Sequence, residues 1–402
     1  MLRRPGLLRR ARSNNKHRID MKDLMTSFTR TTLLLLALPL LLAGLATAQQ
    51  MERTFNIDAG KRLDLNLETG GGITITGWDK NQVAVTANRH GRDADKIDVE
   101  MDERSSGLSI RTSHNWRRGN GGVDFEIRVP RRFNVTLETM GGEIKITGVE
   151  GRFRGQTMGG EINLADLRGE VDLKTMGGDI TLRDSSVDGE VETMGGEVYI
   201  SDVTGNVKGT TMGGEVTYRN VKTGGRDGAE AREVRINTMG GDINLDDAVG
   251  GADVHTMGGE IHVRSAKDHV KAKTMGGEIV IEEIDGWVEA TTMGGDVEVN
   301  MIGNPARGDR HVELSSMGGD IILTVPPGLA MKVDIEIAFT RDARESYRIE
   351  SDFGIEQEVT KDWIRDNGSP RKYISGTGTI GAGTHRIKIK TVNGNVYLKR
   401  GR

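Results

Sequence analysis

Ten carboxylates recur at a nearly constant spacing, each four positions after the start of a repeated Thr/Ser-Met-Gly-Gly tetrapeptide. They are Glu143, Glu161, Asp179, Glu197, Glu215, Asp242, Glu260, Glu278, Asp296 and Asp320. Hard cations prefer oxygen ligands, so one interpretation of this acid column is a Ca²⁺-stabilised surface repeat, with a second acid position at Asp166, Asp184, Asp202 and Asp247. The calcium-binding pattern Gly-Gly-x-Gly-x-Asp is absent, however. The sequence therefore favours a solvated face, or carboxylates that accept hydrogen bonds from amides beside the Gly-Gly pair.

Catalysis is the alternative function, because paired acids cut glycosidic bonds and parallel β-helices host carbohydrate-active enzymes. An active site is a local exception to a repeat, whereas here the acids are the repeat. His255, His262 and His269 are evenly spaced along the chain and are expected to be solvated surface residues. We therefore predict no catalytic, cofactor-binding or metal-binding residue, and no enzyme.

The elements that position these acids are repeats. The tetrapeptide begins at Thr139, Thr157, Thr175, Thr193, Thr211, Thr238, Thr256, Thr274, Thr292 and Ser316. Most intervals equal the step from Thr139 to Thr157, and the two longer ones, Thr211 to Thr238 and Thr292 to Ser316, contain insertions. Within each unit the acid is followed by alternating apolar residues, and a second alternating run leads into the next Thr. Period-two alternation predicts two short strands in each unit.

A single repeat unit is too small to form a core alone, so identical units must stack. Parallel strands of successive units would place like residues about 4.8 Å apart in continuous columns. Crossovers between parallel strands are right-handed. The predicted fold is an all-β, right-handed parallel β-solenoid of about ten 18-residue rungs with two short strands each, closed by atypical β caps at both ends.

The tetrapeptide is predicted to form a corner of each rung. The two glycines suit a positive φ or a close approach of two backbones. The Thr is in phase with the inward Val and Leu, and its hydroxyls would satisfy one another from rung to rung. The Met is expected to turn into the core as a gap-filler, because aromatic residues make up only 4% of the chain. An exposed sulfur stripe is the other possibility. Ice binding is not favoured, because it needs outward threonines.

The segment from Met1 to Ala48 differs from the remainder. Five arginines between Arg3 and Arg12 precede an apolar run, Leu33–Leu45, which ends in Ala46-Thr47-Ala48. This pattern predicts a signal peptide cleaved after Ala48, with Met21 or Met25 as alternative starts and a retained membrane anchor as the other interpretation. Cleavage leaves 46 basic and 57 acidic residues, a net charge of −11. The chain has no Cys, so disulfides and Cys-based metal sites are excluded.

We predict four segments: the signal peptide at 1–48, an N-terminal β cap at 49–135 with a degenerate first repeat, the regular repeats at 136–325, and a C-terminal β cap at 326–402. The degenerate repeat is recognised in Leu63–Gly77, where Gly70 replaces the Met. Terminal repeats are expected to be atypical because they close the open ends of the core.

The Thr-x-Gly-Gly units, the Leu63–Gly77 segment, Val129-Pro130 and the closing Thr391-Val392-Asn393-Gly394-Asn395-Val396 are similar to the bacterial putative-adhesin family of exported β-strand-repeat domains of unknown function. The resemblance covers roughly residues 50–400. It implies an exported β-solenoid of the cell envelope, in the periplasm or at the surface. It implies no functional residue, because the uniform Met departs from the family pattern.

The predicted function is a non-catalytic adhesin-like scaffold or interaction module. Its partner would be an envelope or surface protein or a glycan, and the acidic surface argues against nucleic acid. After cleavage the chain would not span the membrane. Binding is expected where the repeat is interrupted, at the insertions Thr223–Arg232 and Met301–Arg310 and at the loop Trp116-Arg117-Arg118, because loops on rigid scaffolds carry function.

Overall fold

A computed structural model describes residues 50–115, 119–224, 232–341, 346–365 and 369–402. The predicted signal peptide and the loop residues Trp116, Arg117 and Arg118 lie outside the described residues. The described chain is built of β-strands, with a 3₁₀ helix at Ala94–Lys96. The all-β, solenoid-like class is therefore confirmed.

The strands fall into three groups along the chain. The first comprises β1 (Gln50–Phe55), β2 (Arg62–Leu67), β3 (Ile73–Trp78), β4 (Val83–Gly91), β5 (Ile97–Arg104), β6 (Gly107–His114), β7 (Gly121–Pro130) and β8 (Asn134–Thr139). The repeats form β9 (Ile144–Thr147), β10 (Glu150–Thr157), β11 (Ile162–Ala165), β12 (Arg168–Thr175), β13 (Ile180–Thr193), β14 (Val198–Thr204), β15 (Val207–Thr210), β16 (Val216–Arg219), β17 (Val234–Asn237), β18 (Ile243–Ala248), β19 (Ala252–His255), β20 (Ile261–Lys273), β21 (Ile279–Thr292), β22 (Val297–Met301), β23 (Val312–Ser316) and β24 (Ile321–Val325). The last group is β25 (Met331–Thr340), β26 (Ile349–Ser351), β27 (Glu356–Val359), β28 (Arg371–Ile380), β29 (His385–Val392) and β30 (Val396–Arg400).

Successive repeats pair in parallel and in register, in two ladders. In one ladder Ile162 of β11 lies beside Ile180 of β13, one repeat later. In the other, Thr157 of β10 lies beside Thr175 of β12. Both offsets equal the sequence period, so each position of the repeat forms a column. The inward columns of Ile, Leu and Val are almost completely buried.

The threonines of the tetrapeptides face inward, as the alternation predicts, and each is at most 6% exposed. Their hydroxyls bond to glycine backbone and not to one another, which corrects the predicted hydroxyl column. Thr274 donates to the carbonyl of Gly259 at 2.8 Å and accepts from the amide of Gly277 at 3.3 Å. The hydroxyl of Ser316 repeats this pattern. From Thr175 onward each hydroxyl thus joins its own corner to that of the preceding rung. The hydroxyls of Thr139 and Thr157 instead donate to Gly141 and Gly159 of their own corners.

The opposite corner of several repeats uses a residue with positive φ. Asp166, Asp184, Asp202 and Asn220 occupy equivalent positions and have φ between 50° and 54°. Asp and Asn tolerate this left-handed conformation better than most side chains. The second acid position is therefore explained at three of its four residues by turn geometry.

Both ends contain a rung that is out of sequence order. Leu63 of β2 pairs with Val135 of β8 on one side and with Leu108 of β6 on the other. The degenerate repeat thus lies between the regular repeats and the strands that follow it in the chain. At the other end Thr391 of β29 lies beside Ser316, and β25 adds beyond β29.

Candidate functional site

A row of exposed methionines follows one corner of the stack, and it is named the methionine stripe here. Its members are between 43% and 59% exposed: Met140, Met158, Met176, Met194, Met212, Met239, Met257, Met275, Met293 and Met317. The expectation that these side chains fill the core is wrong. The volume is filled instead by the inward Ile, Leu and Val columns together with the buried threonines.

The outward direction of each methionine follows from its neighbour. The preceding Thr is held inward by its two backbone hydrogen bonds, and successive side chains of an extended chain point to opposite faces. The stripe also stays in register through the backbone. The amide of Met257 donates to the carbonyl of Met239, and the amide of Met275 donates to that of Met257, at 3.3 and 3.2 Å. Equivalent methionines are therefore about one strand spacing apart, roughly 4.8 Å.

The two glycines that follow each methionine differ in their surroundings. A Cβ on the second glycine would lie 1.8–2.3 Å from the carbonyl oxygen of the glycine stacked against it, so the close backbone approach requires glycine there. A Cβ on the first glycine would meet nothing closer than 3.3 Å, and at Gly159 and Gly177 nothing within 4 Å. The first glycine is thus not required by packing. It leaves a strip of bare backbone beside the thioethers.

The acid column is mostly exposed, and its Asp members accept amide hydrogen bonds. Asp179 accepts from the amide of Glu197, and Asp242 from that of Glu260, both at 2.8 Å. Asp296 accepts from the amide of Asp320 at 2.7 Å. These contacts match the second interpretation of the column, in which carboxylates bond to corner amides.

One half-buried member of the acid column, Glu278, has a raised pKa. Partial burial raises the pKa of Glu278, and the neighbouring carboxylates of Asp296, Glu260 and Glu298 raise it further. In the part of the chain that the structure describes, no three His, Asp or Glu side chains are grouped so as to hold a metal ion. Calcium binding stays the alternative interpretation of the column, tested by calorimetry of the mature chain with Ca²⁺ and with chelator.

The three predicted histidines do not form a common site, because each contacts carboxylates of its own. His255 bonds to Asp253 at 2.6 Å and His262 to Glu282 at 2.7 Å. His269 bonds to both Asp268 and Glu233.

His269 is also not the solvated residue that the sequence suggested, since its side chain is only 14% exposed. Its ring stacks on Trp287, which stacks in turn on His311, with 4.9 Å between centroids in each case. Sequence reasoning missed this aromatic column. The three residues occupy the same position of successive repeats once the second insertion is discounted, which is the signal that could have revealed it.

The second insertion, Met301–Arg310, is a loop held in place by hydrogen bonds of a buried arginine. Arg310 is 2% exposed, and its guanidinium donates to the carbonyls of Ile302, Asn304 and Arg307 and to the carboxylate of Asp285. In the first insertion, Thr223 and Arg232 bond to each other and close the base. Residues 225–231 between them lie outside the described chain.

A cleft of about 1060 Å³ lies near the C-terminus, lined in part by Lys332, Asp334, Glu356, Thr377 and Arg386. It offers the enzyme alternative a concave surface with carboxylates, and a glycan degradation screen of the mature chain would test it.

Among the described residues, no helix has the length and apolar character that a membrane crossing requires.

Exposure of the stripe predicts selective oxidation. We expect dilute peroxide to convert the ten stripe methionines to sulfoxides before Met301 and Met331, because thioether oxidation needs contact with the oxidant. Met301 and Met331 are at most 1% exposed and serve as internal controls. Peptide mass spectrometry over a time course gives each rate. Equal rates for stripe and buried methionines would contradict the exposed corner.

A family model described as Toastrack DUF4097 matches residues 46–324. No curated protein matches the chain. Among solved structures, a putative cell adhesion protein from Clostridium sporogenes is 10% identical, with 88% of this chain and 100% of that chain covered and a TM-score of 0.17. A putative adhesin from Parabacteroides merdae is 13% identical, covering 67% and 97%, with a TM-score of 0.25. A putative adhesin from Parabacteroides distasonis is 10% identical, covering 69% and 97%, with a TM-score of 0.28.

Proposed function

The chain belongs to the Toastrack DUF4097 family, and on that premise we propose that it is an exported, non-catalytic interaction module of the cell envelope. About ten right-handed 18-residue rungs would form a rigid scaffold. The predicted signal peptide at residues 1–48 supports export, since it combines a basic start, an apolar run and a small-residue cleavage site.

The observation that carries this proposal is the methionine stripe. Ten large apolar side chains are exposed in one continuous row, and contiguous exposed apolar surface marks interaction sites. Methionine is adaptable because its side chain is unbranched and polarizable, and Met-rich surfaces bind varied partners. The bare first glycines let a partner approach the backbone beside each thioether. The stripe lacks aromatic rings for stacking on sugars, so we favour an envelope or surface protein over a glycan.

Binding of the labelled mature chain, residues 49–402, to intact cells and to envelope fractions tests the proposal, with chelator present throughout to exclude metal effects. A stripe variant replaces the central methionines by Gln, which keeps length and removes apolar character: Met194, Met212, Met239, Met257 and Met275. A matched control carries five Gln substitutions at other exposed positions: Arg154, Asp172, Arg235, Lys273 and Glu289.

We expect the stripe variant to lose about tenfold or more in binding, since truncating the central contacts of an interface costs over about 1 kcal/mol each. The control variant should bind like the natural chain, and circular dichroism should be the same for all three proteins. A further variant with residues 225–231 replaced by a short Gly linker examines the insertion. If that variant loses binding while the stripe variant keeps it, the partner binds the interrupted repeat and the stripe proposal is wrong.

A further inference from the structure

We propose that the methionine stripe binds soft monovalent metal ions, Cu(I) or Ag(I), each held by thioether sulfurs of adjacent rungs. Thioethers are soft ligands, and Cu(I) is one of the metals that soft sulfur ligands select. The chain has no Cys, so methionine supplies all of its sulfur. This inference is independent of the proposed protein partner, because metal loading is measured on the isolated chain.

The spacing of the stripe suits an ion between two sulfurs. Metal–sulfur bonds in proteins are about 2.3 Å long, the value for zinc thiolates, so two sulfurs on opposite sides of one ion are about 4.6 Å apart. Adjacent strands of a sheet are separated by nearly the same distance, about 4.8 Å. The backbone bonds from Met275 to Met257 and from Met257 to Met239 hold the rungs at that separation. The flexible side chains then need only small rotations to converge on one ion.

The corner also gives an ion access and a favourable potential. The first glycine of each pair leaves the side of the thioether uncovered, as at Gly159 and Gly177. Each stripe methionine is followed, three positions later, by a carboxylate of the acid column. A row of carboxylates attracts cations to the corner. The thioethers themselves are uncharged. The acid column would thus raise the local concentration of cations, and the sulfurs would bind the soft ions among them selectively.

The same chemistry predicts which ions bind poorly. Ca²⁺ and Mg²⁺ require oxygen ligands, and Zn²⁺ is bound mainly by thiolate, imidazole and carboxylate. In the described ranges, each of the three histidines contacts a different carboxylate: His255 contacts Asp253, His262 contacts Glu282, and His269 contacts Glu233. Selectivity for soft monovalent ions is therefore expected from the neutral sulfur donors alone.

The test is an anaerobic Cu(I) titration of the mature chain against a chromogenic Cu(I) chelator, with Ag(I) calorimetry as a second probe. With two or three sulfurs per ion, the ten thioethers should hold about three to five ions per chain. X-ray absorption should show sulfur as the main ligand. Ca²⁺ and Mg²⁺ should not displace the bound ion.

One variant replaces all ten stripe methionines by Leu, which keeps an apolar side chain of similar size and removes the sulfur. We expect bound Cu(I) to fall about tenfold or more at equal free metal. A control variant carries Leu at the buried Met101, Met301 and Met331 and should bind like the natural chain. Binding of less than one ion by the natural chain, or undiminished binding by the stripe variant, would overturn the proposal.

A second measurement protects the test against a variant that fails to fold. Mild peroxide converts the stripe thioethers of the natural chain to sulfoxides, and methionine sulfoxide reductases reverse the change. Cu(I) loading should be lost after oxidation and regained after enzymatic reduction. Loading that survives complete oxidation of the stripe would show that the ion binds elsewhere, and the proposal would be wrong.

Discussion

Replacing Gly259 by Ala should destabilise the chain by about 3 kcal/mol, whereas the same replacement at the adjacent Gly258 should be close to neutral. A Cβ on Gly259 would lie 2.1 Å from the carbonyl oxygen of Gly241, which is far inside van der Waals contact. A Cβ on Gly258 would lie 3.6 Å from its nearest neighbour, the carbonyl oxygen of Gly240, which is ordinary contact. The pair thus compares the same chemical change at two consecutive positions of one corner.

The backbone around Gly259 has little freedom to relieve that clash. The hydroxyl of Thr256 donates to the carbonyl of Gly241 at 2.9 Å and accepts from the amide of Gly259 at 3.2 Å. Moving the two corners apart would break the bond from Thr256 to Gly241, and shifting Gly259 within its own corner would break the bond from its amide to Thr256. Either change leaves a buried polar group unsatisfied. The clash would push the corners apart, whereas the hydrogen bonds of Thr256 hold them together. The alanine can therefore be accommodated only if this rung opens locally.

Urea unfolding and amide hydrogen exchange measure the two outcomes. In a stack where each rung contacts only its neighbours, Gly259→Ala should speed exchange most in the rungs that adjoin the corner. Gly258→Ala should leave the exchange pattern unchanged. If both variants lose the same stability, glycine is needed at this corner for a reason other than the stacking distance, and the assignment of the two glycines is wrong.

The inward Thr and the outward Met illustrate what the sequence could predict. The parity of the strand placed Thr274 on the buried side, and the structure agrees. The same parity places Met275 outside, but the scarcity of aromatic residues favoured a core position for it. Strand alternation was the stronger argument, because the hydrogen bonds of Thr274 fix the corner and leave the next side chain no inward path.

The order of the terminal rungs could not be derived from the period. Leu63–Gly77 and Thr391–Val396 carry the repeat pattern, so their membership of the stack was predictable. A single copy gives no information on its neighbour, however, and the structure places β6 beyond β2 and β25 beyond β29. That order depends on the packing of strands from chain segments with no internal repeat.

Arg310 is the clearest case of a role without a sequence signal. Arg310 lies in an insertion and so has no counterpart in the other repeats. The insertion contains Gly, Pro and Asp, and such a composition indicates an exposed loop. The structure instead buries its side chain and satisfies its guanidinium with three carbonyls and one carboxylate. The carbonyls belong to the insertion itself. The loop therefore supplies the acceptors that allow Arg310 to be buried, and Arg310 holds the loop in that conformation.

Replacing Arg310 by Met should therefore cost about 3 kcal/mol and release the insertion. The change removes a buried cation and takes its donor from the carbonyls of Ile302 and Arg307, while the carbonyl of Asn304 keeps the amide of Arg307. Asp285 is 41% exposed and can be hydrated, so most of the loss should come from the carbonyls of Ile302 and Arg307. We expect the unfolding midpoint to fall and the loop to become accessible to protease.

Trypsin cleavage after Arg307 reports on the loop directly, because the carbonyl of Arg307 is held by Arg310 in the natural chain. Cleavage there should be slow in the natural chain and fast in Arg310→Met. Arg310→Lys is the matched control: it keeps the positive charge but lacks the planar fork that reaches several acceptors at once, so it should restore only part of the protection. Full protection with Lys would mean that charge alone holds the loop through Asp285. Slow cleavage in Arg310→Met would mean that the loop is ordered without the guanidinium, contrary to the contacts that surround it.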